Sequence, residues 1–359
     1  MWPDRRYLDL TGIELPILQA PMAGSNLAPL AVAVSEAGGL GALPCAMLPP
    51  DRARQQLQTI KQQTDRPVNV NFFAHTPPVP DASRETAWRK RLGSYYQELG
   101  IDPSDIPDGP AREPFNQELA DLLLDLKPRV VSFHFGLPAD AAVRQLQDAG
   151  IVVQCSATTV AEARWLEDHG VDAIIAQGAE AGGHRGLFLG DSVDRQLGTF
   201  ALVPQIVDAV DLPVIAAGGI ADARGIVAAM ALGASAVQIG TAYLLCPEAE
   251  TGALHRSALA SANDDCTVIT NVMTGRPARG IVNRLIAEVG PLAAEAPDFP
   301  LAASAVAPLR AAAEAAGSDA FSPLWAGQAV GLVRERGAGE LTRALAEEAQ
   351  DLLRKLSGR

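Results

Sequence analysis

Along roughly the first 240 residues, apolar side chains come in short unbroken runs, separated by longer stretches where they recur every three to four positions. Of the runs at 16–20, 38–43, 67–73, 129–134, 151–155, 172–176, 213–217 and 234–239, all but the V-N-V-N of 68–71 lack the apolar-polar alternation of a half-exposed strand. They read as parallel strands covered on both faces. Between them, 28–37, 51–61, 117–126, 139–149, 159–168, 199–210 and 222–232 carry the helical period. Eight strands with seven intervening helices predict an α/β chain folded as a (β/α)₈ TIM barrel, with a doubly wound sheet as the alternative.

Two segments break this rhythm. Residues 74–115 hold Pro77, Pro78, one charged and aromatic helix over 82–99, and a loop with Pro103, Pro107, Pro110 and Pro114. Leaving from a strand's carboxyl end, this insertion is expected over the barrel mouth, as a partial lid. Beyond Gly240 the pattern dissolves into short helices and an alanine-rich stretch at 301–316, before an amphipathic helix over 340–356. The organisation expected is therefore a barrel over 1–245, a smaller, mostly helical cap carrying substrate contacts over 246–335, and a C-terminal helix within 336–359 that packs back on the barrel.

Composition narrows the class. The 359 residues are 48% hydrophobic and 20% charged, a globular balance rather than a disordered one. With 29 Lys and Arg against 42 Asp and Glu, the net charge of −13 offers no field for a phosphate backbone, so nucleic acid is not an expected partner. Cys45, Cys155, Cys246 and Cys266 lie far apart without metal-ligand spacing, and no metal is expected. No signal-like or membrane-spanning run stands out, which leads to expectations of no membrane partner, a cytoplasmic location and a monomer or homodimer.

Chemistry concentrates after the sixth run, where residues 177–186 read QGAEAGGHRG. Four glycines permit a close backbone approach to a ligand, and His184 brings a side chain that titrates near neutrality. His169 sits at a helix carboxyl end and reads as structural, while His75 and His255 fall in a loop and a cap helix. His134 ends the fourth run between Phe133 and Phe135, either as a core histidine or as a substrate contact. Arg185, with Arg276 and Arg279, could add cationic charge for a substrate. Residues 217–222 (AGGIAD) and 238–241 (QIGT) follow the seventh and eighth runs, where barrel enzymes grip phosphate through backbone N–H groups. Met22, Asn71 and Gln177, all at strand ends, offer the edge contacts a planar heterocycle needs.

These same residues carry a resemblance. The runs QAPMAG at 19–24, AGGLG at 37–41, NFF at 71–73, VSFHFG at 131–136, QGAEAGGHRG, AGGI at 217–220 and QIGT are similar to those of the class I nitronate monooxygenases, formerly called 2-nitropropane dioxygenases. The likeness covers most of residues 15–245 and resumes at 323–328, PLWAGQ, while Ser25 stands where a further glycine is common. It implies FMN as cofactor, bound by Met22, Asn71, Gln177, Gly182, Gly219, Gln238, Ile239, Gly240 and Thr241, with His184 as catalytic base. It further implies oxidation of nitronates such as propionate 3-nitronate by O2 through an FMN semiquinone, giving an aldehyde plus nitrite or nitrate, in a detoxifying role. The alternative is an FMN-dependent enoyl-acyl-carrier-protein reductase. That enzyme would need a nicotinamide site and a basic patch for its acidic carrier, which the net charge of −13 does not favour.

Overall fold

The computed structural model describes residues 2–103, 106 and 112–358, and the barrel is built from eight parallel strands. They are β1 (Ile17–Gln19), β2 (Gly41–Pro44), β3 (Val68–Phe73), β4 (Val130–His134), β5 (Val152–Ala157), β6 (Ala173–Gln177), β8 (Val214–Ala217) and β9 (Ala236–Ile239). β7 is a two-residue strand, Gly183–His184, that lies outside the barrel sheet. The order β1-β9-β8-β6-β5-β4-β3-β2 is closed by a parallel bridge between Leu18 and Leu40, so the sheet is a TIM barrel. All eight barrel strands fall on the apolar runs to within three residues at their ends, because parallel strands roofed by helices are buried on both faces. One continuous apolar core unites these strands with the flanking helices.

The strand faces alternate, and that decides what points inward. On β3, Asn69, Asn71 and Phe73 share one face by the two-residue period. One neighbour offsets part of the cost of burying two asparagines there: Asn69 Nδ2 donates to Ser132 Oγ (2.9 Å) and Asn71 Nδ2 to the same oxygen (3.0 Å), while Asn69 Oδ1 has no partner among the described residues.

The C-terminal helix, Ala338–Leu356, lies against the helices Ala28–Glu36 and Ala223–Ala231 and so fills the eighth position of the outer ring. Thr342 fixes it, its hydroxyl 2.8 Å from the Tyr243 hydroxyl beneath. A second core joins the 74–115 insertion to the cap, with Trp88, Tyr95 and Tyr96 packed among Leu285, Val306, Leu309 and Phe321. Pro107 and Pro110 of the insertion lie outside the described residues.

Three local expectations change. The helix over 82–99 is two helices, Ala82–Arg91 and Gly93–Leu99, because Gly93 interrupts it after Leu92. Asp51 is not the N-cap of its helix but lies in the first turn of Pro50–Gln63, beside the dipole's positive end. The cap also contains a small antiparallel sheet that periodicity does not reveal: β10 (Thr267–Thr270), β11 (Ala278–Ile281) and β7. In it His184 pairs with Ala278, so the strand bearing the histidine belongs to the cap's sheet.

Candidate active site

A cavity of about 450 Å³ opens at the carboxyl ends of the strands, between barrel and cap. Met22, Asn71, Gln177, Gly182, Gly219, Gln238, Gly240 and Thr241 line it, together with His134 and His184. Ile239 does not: its side chain is fully buried in the core, because it points outward between two inward neighbours on β9.

The glycines set the floor. Gly218 and Gly219 hold φ of +119° and +69°, a turn that aims the chain from β8 toward the N-cap Asp222, whose carboxylate accepts from the Arg224 N–H. Gly182 is fixed by contact: a Cβ there would stand 2.6 Å from the Ala326 carbonyl carbon. Thr241 ties the same strip of cap to the barrel, its Oγ1 accepting from the Gly327 N–H at 2.9 Å.

The histidine loop is braced from β6. Gln177 Nε2 donates to the His184 carbonyl (3.0 Å), and the Gly186 N–H donates to Gln177 Oε1 (2.7 Å). The Gln177 amide is therefore chiefly a brace for the loop. Arg185 is a correction to the substrate role expected of it. The side chain is wholly buried and outside the cavity, donating to the carbonyls of Gln177 (2.8 Å) and Gly178 (2.7 Å) and to Gln196 Oε1 (2.9 Å). Successive side chains on a strand face opposite ways, so the pairing that turns His184 into the cavity turns Arg185 out of it. Arg279 is a brace as well, donating to the Ala179 carbonyl (2.9 Å). Arg276 lies 3.9 Å from the centroid of the Phe135 ring.

His184 is set among the rings of Phe73, Phe135, Phe299 and Trp325, with centroids 5.3 to 6.1 Å away. Burial, then the charges of Arg112, His134, Arg276 and His75, pushes its pKa well below the usual 6.5, so the ring is neutral at pH 7. Its Nε2 meets Thr274 Oγ1 at 2.9 Å, while that hydroxyl points its own proton at the Arg276 carbonyl (3.4 Å). With both contacts made as hydrogen bonds, the imidazole hydrogen is assigned to Nε2, which leaves Nδ1 as the basic nitrogen, with no protein partner among the described residues.

His134 is neither a plain core residue nor a free base. Its Nε2 can only donate to the His184 carbonyl (3.1 Å), so Nδ1 accepts from Ser156 (2.5 Å). Burial lowers its pKa to about 3.

The profile of the Nitronate monooxygenase family matches residues 5–348. The chain belongs to the nitronate monooxygenase family. A nitronate monooxygenase of Pseudomonas aeruginosa is 44% identical over 96% of this chain and 98% of its own length. Among solved structures, the nitroalkane oxidase from Streptomyces ansochromogenes superposes with a TM-score of 0.89 at 38% identity, over 98% of this chain and 99% of that one. FabK from Thermotoga maritima follows at 0.75 and 31%, over 98% of each chain. This member of the nitronate monooxygenase family is an oxidoreductase acting on a small molecule, and among its described residues no helix is long and apolar enough to cross a membrane.

Sequence reasoning missed several cavity residues. Ser132 and Ser156 sit on β4 and β5 as apparent strand filler, and Arg112 comes from a segment without a recognisable period, as do Thr274 and Phe299, which pack against His184 rather than line the cavity.

Proposed function

We propose that the protein oxidises alkyl nitronates, propionate 3-nitronate among them, with bound FMN and dioxygen, releasing an aldehyde and nitrite or nitrate. The observation that carries this reading is His184, neutral and fixed through Nε2, with its Nδ1 open to the cavity. Whether FMN suits the cavity can be judged from the walls. Gln238 Oε1 is buried without a hydrogen-bond partner among the described residues, an arrangement that costs stability unless a ligand donor meets it. A flavin ring carries such a donor, and the turns at Gly218–Gly219 and Gly240–Thr241 leave backbone close to the cavity for a phosphate.

Bound FMN would supply the redox chemistry, accepting electrons from the substrate and passing them to dioxygen. The chain's own residues do the rest. Met22, Asn71, Gly182, Gly219, Gln238, Gly240 and Thr241 hold the cofactor in this reading, and Phe73, Phe135, Phe299 and Trp325 keep water from the reacting carbon. For a neutral nitroalkane, His184 Nδ1 takes the α-proton, which requires the uncharged ring. A nitronate already lacks that proton, and its negative charge meets the positive field of Arg112 and Arg276. A reducing cytoplasm suits the four unpaired cysteines.

The test is an absorbance and product assay. The purified protein should show bound flavin, change its spectrum anaerobically with propionate 3-nitronate, and release nitrite in air. The His184→Asn variant should retain the flavin and lose turnover of neutral nitroalkane. Rapid bleaching by NADH or NADPH, with no response to the nitronate, would sink the reading.

A further inference from the structure

Within the cavity, the charged groups do not balance. Its described lining holds Arg112 and Arg310 against a single carboxylate, Glu314. That carboxylate is committed: its Oε1 accepts from Arg310 Nε (2.7 Å) and from Ser322 Oγ (2.7 Å). Arg112 makes no ion pair among the described residues. It stands with Cζ 5.4 Å from the centroid of the Phe299 ring, and burial together with the charge of Arg310 lowers its pKa. A guanidinium largely kept from water, with no counter-ion among the described residues, is costly, and ligand binding is a common way to offset that cost.

Its position relative to the histidine is defined by a shared neighbour. The Phe299 ring has its centroid 5.3 Å from that of His184 and 5.4 Å from Arg112 Cζ, so the two groups are separated by no more than those two spans. A molecule with its reacting carbon at His184 and a two- to three-carbon tail can direct that tail toward Arg112. Arg112 belongs to the end of the 74–115 insertion and Arg310 to the cap helix Ala302–Ala315, so both cations reach the cavity from outside the barrel strands and their glycine turns.

We propose that Arg112 is a carboxylate-docking residue, with Arg310 as its electrostatic support, and that it selects nitronates carrying a terminal carboxylate over simple alkyl nitronates. The inference rests on the nitronate-oxidising reading above. Arg112 fits the task because a guanidinium offers two parallel N–H donors to a carboxylate, and the Phe299 face holds it in place. Its role is binding rather than chemistry.

The experiment compares propionate 3-nitronate with propyl-1-nitronate, which has a methyl group where the first has its carboxylate, on FMN-loaded wild-type, Arg112→Met and Arg112→Lys enzymes. Wild-type kcat/KM should favour the carboxylate on the order of tenfold or more, the scale of one charge-assisted contact. Arg112→Met should erase most of that preference by raising KM for propionate 3-nitronate about tenfold, with a much smaller rise for propyl-1-nitronate, whose single charge feels Arg112 only at a distance; Arg112→Lys should restore part of it. The proposal is overturned if the wild-type enzyme shows no preference, if Arg112→Met slows both substrates equally, or if that variant loses FMN, which would assign Arg112 to the cofactor phosphate. If wild-type enzyme releases nitrite from neither nitronate, the functional reading itself has failed and the docking role goes with it. Nitrite from propyl-1-nitronate keeps the two failures apart.

Discussion

His184 Nε2 and Thr274 Oγ1 stand 2.9 Å apart across 90 residues of chain, and this contact decides which nitrogen of the histidine is basic. Replacing Thr274 by Val removes the acceptor and frees the ring to carry its hydrogen on either nitrogen. Hydrogen-bond partners that fix the tautomer of a metal-bound histidine are worth on the order of 10- to 100-fold, and the same scale is expected of Thr274. The expected outcome for Thr274→Val is a loss of that size in kcat/KM for a neutral nitroalkane, a smaller loss for a preformed nitronate, and rescue by Thr274→Ser. Equal losses on both substrates would mean that the hydroxyl does not act through the proton on His184.

The histidines predict how stability depends on pH. Burial is the chief cause that lowers His75 and His255 to about 4 and His134 to about 3, from an ordinary 6.5. Between those values and 6.5 the unfolded chain binds more protons than the folded one, so stability rises with pH across that window. The contribution is complete above 6.5 and declines as pH falls toward 4 and then 3. The melting temperature should therefore drop by several degrees between about pH 7 and pH 5, and His255→Gln should flatten part of that slope. A melting temperature constant over this range would contradict the assignment.

Gln238 gives a cofactor test that does not depend on turnover. If its lone Oε1 meets a donor of FMN, Gln238→Leu removes one hydrogen bond to a buried ligand. Weaker FMN retention, by about tenfold, is expected from a cost near 1.4 kcal/mol. Fluorescence titration of the apoprotein measures it. An unchanged dissociation constant would remove Gln238 from the cofactor site.

Arg185 separates a brace from a ligand clamp. Its guanidinium donates to three acceptors while fully buried, so Arg185→Met leaves three oxygens without their donor. A stability loss of roughly 3 kcal/mol or more is expected. Thermal denaturation would show it, and Arg185→Met enzyme assayed well below its melting point should keep its KM for nitronate. A KM effect without a stability effect would return Arg185 to the substrate.

What was legible in the sequence follows the range of the interactions. The barrel strands announce themselves because a buried parallel strand is apolar at every position, as β6 is from Ala173 to Ala176. The glycine turns and His184 were visible as composition, since a close backbone approach favours glycine. The direction of Arg185 was not, because it depends on β7 pairing with β11, and a two-residue strand inside a glycine loop has no period to read. Thr274 and Arg112 escaped for a related reason: what each does is set by a distant segment folded against it. Asn71 was recognised as a polar group in an apolar strand, but its bond to Ser132 depends on the register between β3 and β4.

The placement of β7 also bears on how the molecule can breathe. Because His184 pairs with Ala278 of the cap's sheet while its carbonyl accepts from Gln177 and His134 of the barrel, the histidine is held by both at once. An excursion that lifts this sheet to admit a substrate must therefore break either the pairing with Ala278 or the bonds from Gln177 and His134, and it cannot leave the base in its working position. Admission and proton abstraction would then be mutually exclusive in time, so the open molecule would be chemically disarmed by the same movement that opens it.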